Sequence, residues 1–408
     1  MHLGKRVPVQ LTMDGKHFSF RKTRENTSVL SGKILFRLLR FLHRGGTSRP
    51  GKLALFICPD ILTVVSKGIN TIMVTGTNGK TTTARMIMYM LKESGIPCFG
   101  TFAGGNEKSS ICTEYILNYD IRHSKPRESV AVIECDEKYI PKVVHEISPN
   151  VVVITNITRD QIDRLGTEDD VFGIMRSAMI PLNAVFCLNE DDKYTWGFEK
   201  AFTGKTIVRY SGEAGIIRID GESRPVSLNI PGEFNISNAA AACAALHAEG
   251  YLNDRTAASL ETFKAPFGRM ERINIDRVRV TLNLVKNTRG LEDILQYIEL
   301  LSTGFLIVLG FNARREDGRD TSWLEEIDWT QYSDALKNVV VYGENALVTK
   351  QALISKGIDA TYISKTGQLL SLIRKSDVPV FLIMNYTCMM DFRRLLSVKG
   401  YVKEFWNT

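Results

Sequence analysis

The segment Val74-Thr75-Gly76-Thr77-Asn78-Gly79-Lys80-Thr81-Thr82 carries residue types that can hold a chain of phosphates. Glycines let a backbone fold tightly round phosphate oxygens, whose charge is met by amide N–H groups and by the start of a helix. Lys80 would reach the β- and γ-phosphates, and the Thr81 hydroxyl would ligate Mg2+. Thr77, Asn78, Gly79 and Thr82 complete the expected nucleotide-binding loop. The spacing departs from the eight-residue GxxxxGK[ST] form, because Val74 stands where the first glycine would be. A metal-bound phosphate also needs an acidic partner, and Glu134 follows the apolar run Ala131-Val132-Ile133 directly. Mg2+ usually takes one or two carboxylates beside the substrate phosphates. The pattern therefore predicts ATP as ligand, Lys80 and Glu134 as catalytic residues, and Thr81 and Glu134 as metal ligands. The plain alternatives are a glycine turn without phosphate and a strand end with solvated acids.

These residues need a scaffold of strands ending at one edge. Ile72–Thr75, Val130–Cys135, Val151–Asn156 and Ala184–Leu188 are short apolar runs without alternation, as in strands buried on both faces of a parallel sheet. Helical spacing follows the glycine loop over Thr81–Glu93. A β-rich stretch spans Lys205–Ile230, and Asn238–Gly250 is an alanine-rich helix. A second α/β pattern begins after Pro266-Phe267-Gly268-Arg269, with strands at Val278–Val285, Gly304–Leu309, Asn338–Tyr342 and Val378–Met384. The predicted architecture is α/β: residues 53–266 form a central P-loop domain with a mostly parallel sheet, and 267–408 a smaller C-terminal α/β domain.

Residues 1–52 form a basic extension with an amphipathic helix. They hold twelve Lys/Arg against two Asp/Glu, a net of +10 in a chain whose total is +7, so the remainder is slightly acidic. A nucleic-acid enzyme would spread basic residues over its binding face, so no nucleic-acid partner is expected. From Val29 to His43, Leu30, Ile34, Leu35, Leu38, Leu39, Phe41 and Leu42 fall at helical spacing, with Lys33, Arg37, Arg40 and Arg44 on much of the other face. This helix either packs on the next domain or touches an anionic membrane surface. Gly45-Gly46-Thr47-Ser48-Arg49-Pro50-Gly51 is expected to break it. The sequence has no long uninterrupted apolar stretch, so no spanning helix and no signal peptide are expected. Seven scattered cysteines with no CxxC pair fit reduced cytosolic thiols.

Further motifs follow in order: Thr155-Asn156-Ile157-Thr158-Arg159-Asp160-Gln161-Ile162-Asp163, Leu188-Asn189-Glu190-Asp191-Asp192, Gly232-Glu233-Phe234-Asn235-Ile236-Ser237-Asn238-Ala239 and Gly268-Arg269-Met270-Glu271. Together with the glycine loop they resemble the Mur ligase superfamily of ATP-dependent carboxylate–amine ligases. The resemblance implies that Asn189, Asp191, Asp192, Asn235 and Arg269 sit around the nucleotide. Gln161 stands where most of these ligases have histidine, and Val171–Ile180 offers no lysine that could be carbamylated. Both departures, with Val285-Lys286-Asn287, Asp317-Gly318-Arg319-Asp320-Thr321-Ser322-Trp323 and the ending Lys403-Glu404-Phe405-Trp406, are similar to the MurT branch. Many members carry a four-cysteine zinc ribbon; Lys193–Ile230 has no cysteine, so no zinc is expected here.

The resemblance implies ATP-dependent amidation of the D-glutamate α-carboxyl of the lipid II stem peptide through an acyl phosphate, in the cytoplasm. It leaves contact with the inner membrane surface open. A glutaminase needs an activated cysteine near a histidine, and no cysteine here lies in GxCxG. The resemblance implies a GatD-type glutamine amidotransferase partner, with Asp317 or Asp320 of this chain completing its catalytic pair. Two other readings remain: a ligase adding an amino acid or other amine to a different carboxylate, and a nucleotide-binding scaffold without ligation.

Overall fold

The computed structural model describes residues 13–42, 46–101, 105–158, 166–301, 304–317 and 321–402, with side chains from residue 21 onward. Gln161, Asp320 and the Lys403–Trp406 ending lie outside the described residues. The strands are β1 (Asn70–Thr75), β2 (Cys98–Gly100), a short ladder of β3 (Tyr119–Asp120) with β4 (Lys125–Pro126), then β5 (Val130–Glu134), β6 (Val151–Ile154), β7 (Val185–Asn189), β8 (Ile207–Glu213), β9 (Ile216–Ile219) and β10 (Glu222–Pro225). Apart from the ladder they form one sheet in the order β10-β9-β8-β7-β6-β1-β5-β2, parallel except for the β8–β9–β10 meander.

Burial on both faces explains the unalternating apolar runs. Ile72 and Val74 of β1, with Val132 and Val153, face the helix Lys80–Glu93 and the alanine-rich helix Glu233–Ala248. Met73, with Ile133, Val152 and Ile154, faces a second core under the helices Lys108–Asn118, Ile140–Ile147 and Glu168–Met179. Asn238 through Leu246 are all buried, because alanine lets that helix approach β8 and the loop helix closely.

The C-terminal sheet runs β11 (Glu271–Ile275), β12 (Val278–Leu284), β16 (Val380–Met384), β13 (Leu306–Gly310), β14 (Val339–Tyr342), β15 (Thr361–Ile363), all parallel but for the edge strand β11. Helices Thr288–Glu299 and Tyr386–Val398 cover its faces. The first sheet's last strand ends at Pro225 and the second's first begins at Glu271, so Pro266–Arg269 lies in the connection. Short edge strands β2, β11 and β15 were not foreseen, because three to five residues carry too little periodicity to register.

The N-terminal helix extends over Met13–Phe41, well before the expected start. Its inward face is Ser28, Val29, Gly32 and Leu39, with the Ser28 hydroxyl donating to the Ala54 carbonyl at 2.7 Å. The N-terminal helix does end before the glycine-rich segment, at Phe41, but the segment is not all loop. Ser48–Ile57 is itself a helix, with Pro50 in its first turn, where a missing N–H costs nothing. Gly51 lies at a helix crossing: a Cβ there would sit 1.9 Å from the Ser109 carbonyl oxygen, while its N–H donates to Thr113 Oγ1 at 2.9 Å. Gly51→Ala is expected to destabilise the protein by about 3 kcal/mol, because the obstacle is backbone. Denaturant unfolding measures it; a loss under ~0.5 kcal/mol would mean the crossing relaxes freely.

Candidate active site

The loop after β1 turns at Gly76 (φ +116°) and Gly79 (φ +87°). Neither tolerates a side chain: a Cβ at Gly76 would meet Thr155 Oγ1 at 2.4 Å, and at Gly79 Asn238 Oδ1 at 2.2 Å. The loop is held from three sides. Asn78 N–H donates to Asn156 Oδ1 at 3.0 Å, and Asn156 Nδ2 returns a bond to the Asn78 carbonyl at 3.1 Å. Asn238 presses on the loop from the alanine-rich helix and accepts from Thr83 Oγ1 at 3.4 Å. From the C-terminal domain, Asn287 Nδ2 donates to Asn78 Oδ1 at 3.2 Å. Asn287 also caps the helix Thr288–Glu299 by accepting from Gly290 N–H at 2.9 Å, so one side chain ties that helix start to the loop.

A cleft of about 390 Å³ opens between the two domains at the carboxyl ends of their strands, where open α/β sheets bind ligands. The sequence-predicted residues Thr77, Asn78, Gly79, Lys80, Thr81, Thr82, Glu134, Arg269 and Asp317 all line it. Thr81 Oγ1 donates to Glu134 Oε2 at 2.8 Å, and Glu134 N–H is fixed by Thr101 Oγ1 at 2.9 Å. This hydroxyl–carboxylate pair, all oxygen, suits a hard cation. The buried Lys80 ammonium donates to the carbonyls of Gly76 and of Thr77 (3.2 Å), and to Glu137 Oε2 at 3.3 Å. Burial pushes the Glu137 carboxyl above its usual range, against the opposing pull of Lys80 and Lys286. Arg269 Nη1 donates to the Leu284 carbonyl at 3.1 Å, and its burial, partly offset by Glu134, lowers the guanidinium below its ordinary value.

Four predicted residues sit elsewhere. Asn189 Nδ2 donates to the Thr155 carbonyl at 2.9 Å, and its Oδ1 accepts from Asp191 N–H. Asp192 caps the helix Lys193–Ala201 and accepts from Ile157 N–H at 3.1 Å. Asn235 stands behind Asn238, accepting from its Nδ2 at 3.2 Å. None of these four lines the cleft; Asn189, Asp192 and Asn235 brace the loops that do.

Several cleft residues were given no site role by the sequence reading, although Lys286 stood in a quoted motif. Arg85 is one helical turn beyond Thr81, a spacing that could have revealed it, and lies in the electrostatic reach of Glu134. Glu137 stood in the acidic run after β5 but only folding set it against Lys80. Asn283 and Lys286 reach the cleft from β12 and the segment after it. Asn283 is buried; its Oδ1 accepts from Met270 N–H, while its Nδ2 has no hydrogen-bond partner among the described residues and can donate to a ligand. Asp317 is also buried, and its carboxylate accepts from both the N–H (2.8 Å) and the hydroxyl of Thr387.

Residues 74–246 match the family model of the Mur ligase middle domain, and residues 284–389 that of the MurT ligase C-terminal region. The MurT subunit of lipid II isoglutaminyl synthase (glutamine-hydrolyzing) from Streptococcus pneumoniae is 28% identical over 93% of this chain and 98% of its own. This chain is MurT-like, with a Mur ligase middle domain followed by a MurT-type C-terminal region. The Staphylococcus aureus (strain COL) MurT subunit is 28% identical over 79% of this chain and 86% of its own. Among solved structures, MurF from Acinetobacter baumannii superposes with a TM-score of 0.65 at 19% identity, covering 84% of this chain and 80% of that one. A Mycobacterium tuberculosis folylpolyglutamate synthase complexed with ADP gives 0.64 at 16% identity, covering 90% and 98%. These two structures bear on the fold, which for the MurT-type chain is the Mur ligase arrangement of two mostly parallel sheets.

The cysteines of the MurT-type chain are all buried and free. Burial pushes Cys98 up to about 11 and Cys112 and Cys243 up to about 12. A nucleophilic thiol needs the opposite shift. In the folded protein none of the seven is expected to react promptly with Ellman's reagent, and all seven should react in denaturant. One fast thiol in the native state would contradict this.

Proposed function

We propose that this chain amidates the D-glutamate α-carboxyl of the lipid II stem peptide to D-isoglutamine, with ATP as energy source and ammonia delivered by a GatD-type glutaminase. The observation that carries the reading is the match to the MurT ligase C-terminal region on a chain whose glycine loop, Lys80 and Glu134 meet that same region in one cleft. The curated relatives are named as subunits of a glutamine-hydrolysing synthase, and seven buried thiols leave this chain without a glutaminase nucleophile among its described residues.

A carboxylate is a poor acyl donor. Its oxygen attacks the γ-phosphorus of ATP, the bond from that phosphorus to the bridging oxygen breaks, and ADP leaves. Ammonia then attacks the acyl carbon of the acyl phosphate; inorganic phosphate departs and one ammonia proton is lost. The chain's work is positioning and charge stabilisation. Loop amides after Gly76 and the start of the helix at Lys80 meet phosphate oxygens, and Lys80 exchanges a carbonyl acceptor for a γ-phosphate oxygen. Thr81 and Glu134 would hold Mg2+, which when bound neutralises charge on the phosphates. Arg269 and Asn283 close the cleft from the C-terminal side.

The acceptor is lipid-linked, so the reaction belongs at the inner face of the membrane; no described helix is long and apolar enough to cross one. The decisive assay incubates the chain with lipid II, ATP, Mg2+ and ammonium, and follows replacement of OH by NH2 on the stem peptide by mass spectrometry. Ammonium bypasses the partner. An unmodified stem peptide from a folded, ATP-binding protein would refute the reading.

For the glutaminase link, Asp317 and Asp320 remain the two candidates. Both oxygens of Asp317 are engaged by Thr387 inside the chain, which makes Asp320 the candidate to test first. Asp320→Asn should leave ammonium-driven amidation intact while glutamine-driven amidation falls by up to about 10⁴-fold, as when a triad's orienting carboxylate is lost. Asp317→Asn should lower the melting temperature and impair both activities together. The reverse assignment of the two phenotypes would move the role to Asp317.

A further inference from the structure

The N-terminal helix leaves its most apolar stripe uncovered. Leu30, Ile34, Leu38, Phe41 and Leu42 recur at intervals that align on one side of a helix. Each is at least half exposed, Phe41 by 79%. The rotation of the helix is set from the opposite side. Ser28 bonds Ala54, Val29 and Leu39 are buried, and a Cβ on Gly32 would meet Ile116 Cδ1 at 2.4 Å. With those contacts in place the helix cannot roll to bury the stripe against the described residues. On the neighbouring helix Ser48–Ile57, Phe56 is likewise exposed.

We propose that this stripe is a membrane-docking surface for an anionic lipid bilayer. Charge selects this occupant over an uncharged protein groove. Residues 1–52 hold the whole basic excess of the chain, a net of +10. Exposed Arg37 and Arg40 border the stripe, where they can reach headgroup phosphates while the leucines and phenylalanine enter the acyl boundary. Arg40 is also stacked over the Phe36 ring at 5.5 Å, which keeps its guanidinium beside the helix. The helix is too polar to span, so the contact is one of lying on the surface. The proposal rests on the reading above in one respect: a lipid-linked acceptor is reached more often by an enzyme held at the lipid surface.

Flotation of the full chain with vesicles tests it, comparing phosphatidylglycerol-containing membranes with pure phosphatidylcholine. The chain is expected to float with the anionic vesicles and to be released by salt. Ile34→Asp combined with Phe41→Asp should abolish flotation with unchanged melting and ATP binding, since both side chains are solvent-facing. Arg37→Gln should weaken binding about fivefold, the equivalent of ~1 kcal/mol for one basic residue near an anionic surface. Undiminished flotation of the double variant, or equal flotation with neutral vesicles, would overturn the proposal. So would an absence of flotation accompanied by a wild-type dimer that the double variant converts to monomer, which would give the stripe to a second copy of the chain. The vesicles contain no stem peptide, so each of these failures leaves the ligase reading intact, and that reading fails separately in the amidation assay.

Discussion

Lys80→Ala abolishes ATP-dependent amidation, with turnover down about 10³-fold, the upper range for removing one preorganised charge-stabilising group. No other ammonium comes as close to the loop carbonyls of Gly76 and Thr77 among the described bonds. The substitution has a second consequence. It leaves Glu137 buried without its 3.3 Å partner, and breaking one side of a buried pair costs about 3–5 kcal/mol. Loss of activity alone would therefore be ambiguous. The double variant Lys80→Ala/Glu137→Gln removes the stranded charge and should recover most of the melting temperature while recovering none of the turnover. Single-turnover phosphate release and thermal unfolding of the three variants check the pair. Recovered turnover in the double variant would show that Lys80 serves only to neutralise Glu137.

Glu134→Gln separates charge from shape. The Thr81 hydroxyl can still donate to the glutamine oxygen, and the Glu134 N–H bond to Thr101 is unaffected, so folding should change by under about 0.5 kcal/mol. Mg2+ affinity should fall by at least about 100-fold, the upper end of what even outer-shell partners of a metal cost. The measurement is nucleotide binding at increasing Mg2+, with amidation rate followed alongside. A shifted Mg2+ requirement with a recoverable maximal rate assigns Glu134 to cation binding. An unchanged Mg2+ midpoint would place the cation elsewhere in the cleft.

Some of this protein was legible along the chain because the determining interactions are local. The loop from Gly76 to Thr82, with a strand before and a helix after, is a contiguous unit whose phosphate geometry depends on residues next to one another. Glu134 was legible for a related reason, since a carboxylate directly after an apolar run must emerge where a buried strand ends. The two sheets followed from apolar runs buried on both faces, and the family from motifs in order.

The tertiary structure decided what depends on approach between distant segments. Glu137 became the counterion of Lys80, 57 residues away, and Asn287 became the link to Asn78 across 209 residues. The side chains of Asn189, Asp192 and Asn235 carry suitable polar groups, yet folding spent them on bracing bonds outside the cleft wall, and Asp191 lends its backbone N–H to the Asn189 side chain. Periodicity marked an amphipathic helix before residue 43, but not which face turned inward. Small residues, Ser28 and Gly32, face inward beside Val29 and Leu39 because they allow backbone-close packing against Ala54 and Ile116, and Leu30, Ile34, Leu38, Phe41 and Leu42 are left outside. Hydrophobic pattern specifies a helix's faces; only the shape of its neighbour decides which face the fold can accommodate.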